Sequence, residues 1–167
     1  MDDIVQGAQR ILADTASRQE TEMPPIRKIG IVGTGQMGNG IAHVIALAGY
    51  EVMLNDLSKD KVDRALEIID RNLTRQVASG KIAEEDRRQA LARISYAETF
   101  KGFGDVDLVI EAATEDETVK RKIFVALCPF LKPGATVATN TSSISITRLA
   151  ASTDRPEHFI GLSLIHI

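Results

Sequence analysis

Three glycines, Gly33-x-Gly35-x-x-Gly38, follow the apolar run "KIGIV", and an aspartate, Asp56, stands about 20 residues further on. Glycines at this spacing suit an anion. Gly33 can take a tight turn, Gly35 lets backbone approach a pyrophosphate, and Gly38 lets a following helix sit close to its strand. That helix would turn unpaired N–H groups and the positive end of its dipole toward phosphate, with Thr34, Gln36 and Met37 completing the loop. A carboxylate at Asp56 would accept hydrogen bonds from both hydroxyls of a ribose and repel a 2′-phosphate. No arginine adjoins it, although Lys59 and Lys61 are near. The spacing therefore predicts a dinucleotide site that favours NAD over NADP. The plainer reading is an ordinary strand-to-helix turn with Asp56 capping the next helix.

Two further groups of polar residues could do chemistry. Glu115 and Lys120 fall in a predicted helix, where an acid in the first turn is favoured by the dipole and a lysine can be a solvated surface residue. Asn140, Thr141, Ser142 and Ser143 follow the apolar run "ATVAT". They would stand at the carboxyl edge of the sheet, where α/β ligand sites form; the same four residues could equally form a turn and cap a short helix.

The elements that must position these groups alternate in type. Strands are predicted at "KIGIVG", "YEVMLND", "VDLVIEAA", "ATVATN" and "HFIGLSL". Helices are predicted at Gln36–Ala48, Ser58–Ser79, Glu84–Leu91, Thr114–Leu131 and Ile146–Ala151, the fourth opened by a Thr114-x-x-Glu117 capping box. Strands apolar throughout and separated by helices imply a parallel sheet covered on both faces, hence a doubly wound, Rossmann-type α/β domain. Residues 1–25 are polar, end at Pro24-Pro25 and are expected to be a flexible extension, with Met23 a second candidate start; the domain is expected over 26–167.

The 167 residues carry 20 Lys and Arg against 23 Asp and Glu, a net charge of −3 that gives no electrostatic case for nucleic acid or an anionic membrane as partner. A single cysteine, Cys128, excludes an internal disulfide framework and fits a reducing cytoplasm. No ligand spacing among the three histidines and this cysteine suggests zinc. The first residues resemble no secretory signal, and no apolar run is long enough to span a bilayer.

Three stretches narrow the reading. "GTGQMGNGIAHVIALAGYEVMLND", "DLVIEAATEDETVKRKIF" and "ATNTSSISITRLAASTDRPEHFIGL" together resemble the amino-terminal domain of the 3-hydroxyacyl-CoA dehydrogenases, the bacterial 3-hydroxybutyryl-CoA branch above all. The resemblance runs from about Ile26 to Leu162. It implies an oxidoreductase of fatty acid or butanoate metabolism that passes hydride from the 3-hydroxyl carbon of an acyl-CoA to NAD. It further implies that Gly33–Gly38 hold the pyrophosphate, Asp56 the adenosine ribose, and Glu115, Lys120 and Asn140 the nicotinamide half. Ser142 would hydrogen-bond the substrate oxygen.

The resemblance also implies a histidine base on the strand after the serine, a glutamate beyond it, and a helical second domain that closes over acyl-CoA and forms a homodimer. Ungapped alignment from Ser142 puts Ser163 at the histidine's place. His158 falls five positions before it, on the opposite face of a strand and well over about 10 Å away. His43 reads as a packed or half-exposed helix residue. The terminal Leu-Ser-Leu-Ile-His-Ile, 162–167, matches the translation of a sequencing-library transposon end and is expected to be non-native, His166 included. The chain alone is then expected to lack base, glutamate and second domain, and to turn over poorly. Two alternatives remain: a dehydrogenase of the hydroxyisobutyrate or 6-phosphogluconate type, and a module that binds NAD without chemistry.

Overall fold

Apolar residues, many of them β-branched, make up most of the strands, as burial on a pleated sheet favours. A computed structural model describes residues 25–162. Its strands are β1 (Lys28–Val32), β2 (Glu51–Asn55), β3 (Ile94–Tyr96), β4 (Leu108–Glu111), β5 (Thr136–Thr139) and β6 (Phe159–Gly161). Helices α1 (Gln36–Leu47), α2 (Lys59–Ala78), α3 (Glu84–Ala92), α4 (Glu117–Leu127) and α5 (Ile146–Ala150) connect them. The order across the sheet is β3-β2-β1-β4-β5-β6 and every pairing is parallel. The chain thus winds outward from β1 in one direction and from β4 in the other. Between those two strands the connections diverge, leaving the crevice at the carboxyl edge where ligands of such sheets sit.

Alternation along each strand feeds two cores. On one face Ile29, Ile31, Val52, Leu54 and Ile110 meet Ile41, Ala42 and Ala46 of α1 and Val62, Ile69 and Leu73 of α2. On the other, Val109 and Val137 pack with Phe124 and Leu127 of α4, Leu149 of α5, Phe103 and Phe159. At the amino edge Asp107 ties the two halves together, its carboxylate accepting from the backbone N–H of Arg27 and Lys28 and from the Lys132 ammonium. Burial works against that charge, but Lys132 and the two N–H groups outweigh it and hold Asp107 at about 2.

Three expectations change. β3 is a sixth strand, short and only partly covered, which a three-residue edge without strict alternation does not announce. The helix expected over Thr114–Leu131 is α4, Glu117–Leu127, followed by a 3₁₀ turn at Cys128–Phe130. Its N-cap is Asp116, whose side chain accepts from the Val119 N–H, so the Thr114 capping box gives way and Glu115 lies before the first turn. The last strand is shorter than "HFIGLSL", with His158 in the turn that precedes it. Ser163 and the 163–167 part of the terminal hexapeptide lie outside the described residues, as do 1–24 of the expected extension.

Candidate functional site

At the carboxyl edge the chain leaves β1 through Gly33, whose φ of 93° favours glycine. A side chain there would also collide with Ala113, since an added Cβ lies 2.5 Å from its Cα. An added Cβ on Gly38 would lie 1.9 Å from the Gly33 carbonyl oxygen, so α1 can sit this close to β1 only without one. Gly35 differs. It is exposed, and nothing lies within 4 Å of where its Cβ would be. Gln36 and Met37 open α1 beside it, both exposed, and no acidic residue occupies that first turn. The free N–H groups therefore face open space with no carboxylate of their own helix to take them. A cleft of about 410 Å³ lies alongside, bounded by Thr34, Gly35, Gln36, Asn39, Gly40, Ile68 and Asn72.

Asp56 follows β2 and is bound to the same turn. Its Oδ2 accepts from the Thr34 N–H at 2.7 Å and the Thr34 hydroxyl at 2.8 Å, and its Oδ1 accepts from the Leu57 N–H at 2.7 Å. Lys61 Nζ stands 3.5 Å from Oδ1. Partial burial raises the carboxyl's pKa, but the Thr34 and Leu57 hydrogen bonds and the Lys61 charge outweigh it and hold Asp56 below the usual range. It is a fixed anion with lone pairs to spare, which does not fit a mere helix cap: Ser58 is the N-cap of α2.

On the other side of the crevice, β4 ends at Glu111, fully buried. Its Oε2 accepts from Lys120 Nζ at 2.6 Å and from the Thr139 hydroxyl at 2.7 Å, and its Oε1 from the Ala113 N–H at 2.8 Å. Lys120 is therefore no solvated helix residue. It has no exposed surface, and its ammonium also reaches the Asn140 carbonyl at 3.4 Å. The Asn140 N–H donates to the Glu111 carbonyl, which fixes the backbone after β5. The Asn140 side-chain Nδ2 is buried and has no hydrogen-bond partner among the described residues.

Glu115 gathers the 141–143 loop. Its Oε1 accepts from the Thr141 hydroxyl, from the Ser143 hydroxyl at 2.8 Å and from the Ser142 N–H at 3.3 Å. The Thr141 bond chiefly, with Ser143, Lys120 and the Ser142 N–H, keeps its pKa below the usual glutamate value against a partial burial that would raise it. The exposed Ser142 hydroxyl has no partner among the described residues. Nor do these residues cap α5; Ser145 does, accepting from the Arg148 N–H. His158 lies in the turn before β6, at the amino edge of the sheet, the edge away from Ser142, and His43 is packed on α1. Among the described residues no cluster of His, Cys, Asp and Glu is arranged for a metal, and no helix is long and apolar enough to cross a membrane.

Glu111 and Thr139 were not singled out by sequence reasoning, whereas Thr141 and Ser143 were, as part of a possible turn and cap, without the bond each makes to Glu115. The signal for Glu111 was present: an acid inside an apolar strand covered on both faces must meet a cation or several donors. Thr141 and Ser143 gave no comparable signal, because their role depends on where Glu115 sits.

An open anion pocket and a fixed acid on one side of the switch point, with a buried orphaned amide on the other, fit a dinucleotide. Known proteins agree. Residues 28–165 match the family described as 3-hydroxyacyl-CoA dehydrogenase, NAD binding domain. A 3-hydroxybutyryl-CoA dehydrogenase of Bradyrhizobium diazoefficiens is 57% identical over 141 residues, 84% of this chain and 48% of that protein. One from Mycobacterium tuberculosis is 41% identical over 138 residues, 82% of this chain and 48% of the relative. The crystal structure of (S)-3-hydroxybutyryl-CoA dehydrogenase from Ralstonia eutropha superposes with a TM-score of 0.81 at 41% identity, covering 83% of this chain and 49% of that one. The chain spans about half the length of the curated relatives it matches. Its fold, its crevice and these matches agree that the chain belongs to the NAD-binding domain family of the 3-hydroxyacyl-CoA dehydrogenases.

Proposed function

We propose that the chain is the cofactor-holding part of an enzyme that moves hydride between NAD and the 3-carbon of a 3-hydroxyacyl- or 3-ketoacyl-CoA. The observation that carries this is the Ser142 hydroxyl: it stands exposed at the carboxyl edge while Glu115 holds its own backbone N–H. A module that only senses the cofactor needs no such group. NAD, when bound, supplies the hydride acceptor.

The chain's residues supply the rest. The backbone of Gly33, Thr34, Gly35, Gln36, Met37 and Gly38 holds the diphosphate at the start of α1. Asp56 holds the adenosine ribose, and its charge, fixed by Thr34, disfavours a 2′-phosphate. Asn140, whose buried amide has two donors unused, serves the nicotinamide half. Glu115 lies at that end and keeps the 141–143 loop in place, with Lys120 contributing from beneath. Ser142 donates to the substrate's 3-oxygen as negative charge grows there, the moment at which a preset donor lowers a barrier.

In the longer protein, a base takes the hydroxyl proton, and a helical domain closes over the acyl-CoA and pairs two copies. The setting proposed is the cytoplasm, which suits the buried Cys128 thiol, pushed up to about 11 by burial. His158, at the far edge of the sheet, cannot serve Ser142 as base.

Fluorescence titration of the 167-residue chain with NADH is expected to show saturable binding. Oxidation of that NADH by acetoacetyl-CoA is expected to be slower than in a full-length relative by at least roughly 10²- to 10⁴-fold, the contribution of general-base catalysis. Normal turnover, or no NADH binding, would overturn the reading.

A further inference from the structure

Glu111 touches both walls of the crevice without reaching its surface. Through Oε1 it fixes the Ala113 N–H, and Ala113 is the residue against which Gly33 is packed so closely that no Cβ fits. Through Oε2 it holds Thr139, the residue before Asn140, and Lys120, whose ammonium reaches the Asn140 carbonyl. The Asn140 N–H in turn donates to the Glu111 carbonyl. One side chain thus joins the wall beside the diphosphate loop to the backbone that carries the unpartnered Asn140 amide.

Stability alone gives a poor account of this arrangement. Two apolar side chains of similar volume between β4, β5 and α4 would serve a core as well or better, because a buried ion pair must first be stripped of water. A directional, hydrogen-bonded cluster adds what an apolar pair lacks: set distances and angles between named polar atoms. Both lower oxygens of Glu111 are engaged and neither is solvated, so displacement of the Asn140 segment would leave a buried charge under-bonded.

We propose that Glu111, acting with Lys120 and Thr139, is a positioning residue that sets the distance and angle between the glycine turn and Asn140, and so where the nicotinamide half of NAD is held. The proposal rests on the cofactor reading above. It assigns Lys120 an indirect part, through Glu111 and the Asn140 carbonyl, in place of a contact at the cleft surface. Adenosine, ribose and diphosphate lie on the Asp56 and Gly35 side and do not depend on the cluster's charge.

ADP-ribose keeps that adenosine side and lacks nicotinamide, so comparing it with NADH isolates the effect. In E111Q/K120M both charges are removed, side-chain lengths stay nearly the same, and an oxygen remains for the Ala113 N–H. Affinity for NADH, followed by fluorescence titration, is expected to fall about tenfold, which is about 1.4 kcal/mol. Affinity for ADP-ribose, followed by calorimetry, is expected to change less than about twofold. T139V, uncharged and nearly isosteric, is the second variant should the first not fold. It removes one donor to Glu111 and is expected to weaken NADH about threefold, again sparing ADP-ribose. Equal losses for both ligands would show a general structural role and overturn the proposal. Unchanged NADH affinity in either folded variant would overturn it as well. Failure of the unmutated chain to bind either ligand would instead remove the cofactor reading on which the proposal stands.

Discussion

The two sides of the crevice are built by different physics. On the β1–β2 side, shape comes from absence: Gly33, Gly35 and Gly38 leave room, and the acid, Asp56, stays partly open to solvent on main-chain and hydroxyl donors with Lys61 nearby. On the β4–β5 side, shape comes from presence: Glu111, Lys120, Thr139 and Glu115 pull strands, a helix and a loop together through side-chain bonds, three of these four residues fully buried. An open anion held by backbone can lose its charge with modest structural cost. A closed pair cannot lose half of its charge cheaply. The two sides should therefore respond differently to the loss of a single charge, the open side first in binding and the closed side first in folding.

The largest contrast is expected from K120M. It leaves the Glu111 carboxylate buried without its cation, a situation that costs about 3–5 kcal/mol of folding stability. Urea unfolding followed by circular dichroism should show this as a lower midpoint at unchanged slope. E111Q/K120M, lacking both charges, should recover most of the loss. If K120M alone is nearly neutral, the pair is not a buried charge pair in solution and the contrast between the sides collapses.

Next in size is G38A. The methyl would need to enter space 1.9 Å from the Gly33 carbonyl oxygen, a main-chain atom that cannot swing aside. α1 must back away from β1, and overpacking of this kind costs about 1–3 kcal/mol. Here binding should fail before folding does. NADH titration is expected to show at least about a tenfold loss in a chain that still unfolds cooperatively, because the N–H groups proposed to hold diphosphate move with the helix.

This division of labour also decides what could be read from the sequence. Glycine spacing reports a steric demand that is local in the chain, so Gly33, Gly35, Gly38 and the acid after the second strand were legible together. So were the α/β alternation and five of the six strands, because apolar runs report burial directly. β3 was not, since Ile94–Tyr96 at a sheet edge is shorter than any periodicity can mark. Glu115 and Lys120 were legible as residues and not as placements. One proved to precede its helix and the other to lie wholly beneath the surface, and only the folded positions of Thr141 and Glu111 decide this. The family signal in "VIEAA" and "NTSSISIT" located the second side of the crevice without disclosing how it is held.

The smallest effect on folding, and the sharpest on cofactor choice, is expected from D56N. Asparagine keeps one oxygen for the Thr34 N–H, and the 3.5 Å approach of Lys61 to a partly exposed carboxylate contributes little, so stability should fall by about 1 kcal/mol or less. The charge itself is what the ribose hydroxyls and a 2′-phosphate would sense. NADH affinity is expected to drop about tenfold while NADPH affinity holds or improves, because a charged hydrogen-bond acceptor is lost for one ligand and a like charge is removed for the other. Acid should reproduce this in the unmutated chain with a definite sign. Since hydrogen bonds to Thr34 and Leu57 hold Asp56 below the usual carboxylate range, NADH binding should stay level as pH falls through that range and weaken only beneath it. Its contribution to folding likewise is complete above the ordinary aspartate value and fades as pH drops through the lowered one. Equal losses of NADH and NADPH in D56N would mean that Asp56 does not face the ribose, and that the open side of the crevice reads its ligand through backbone alone.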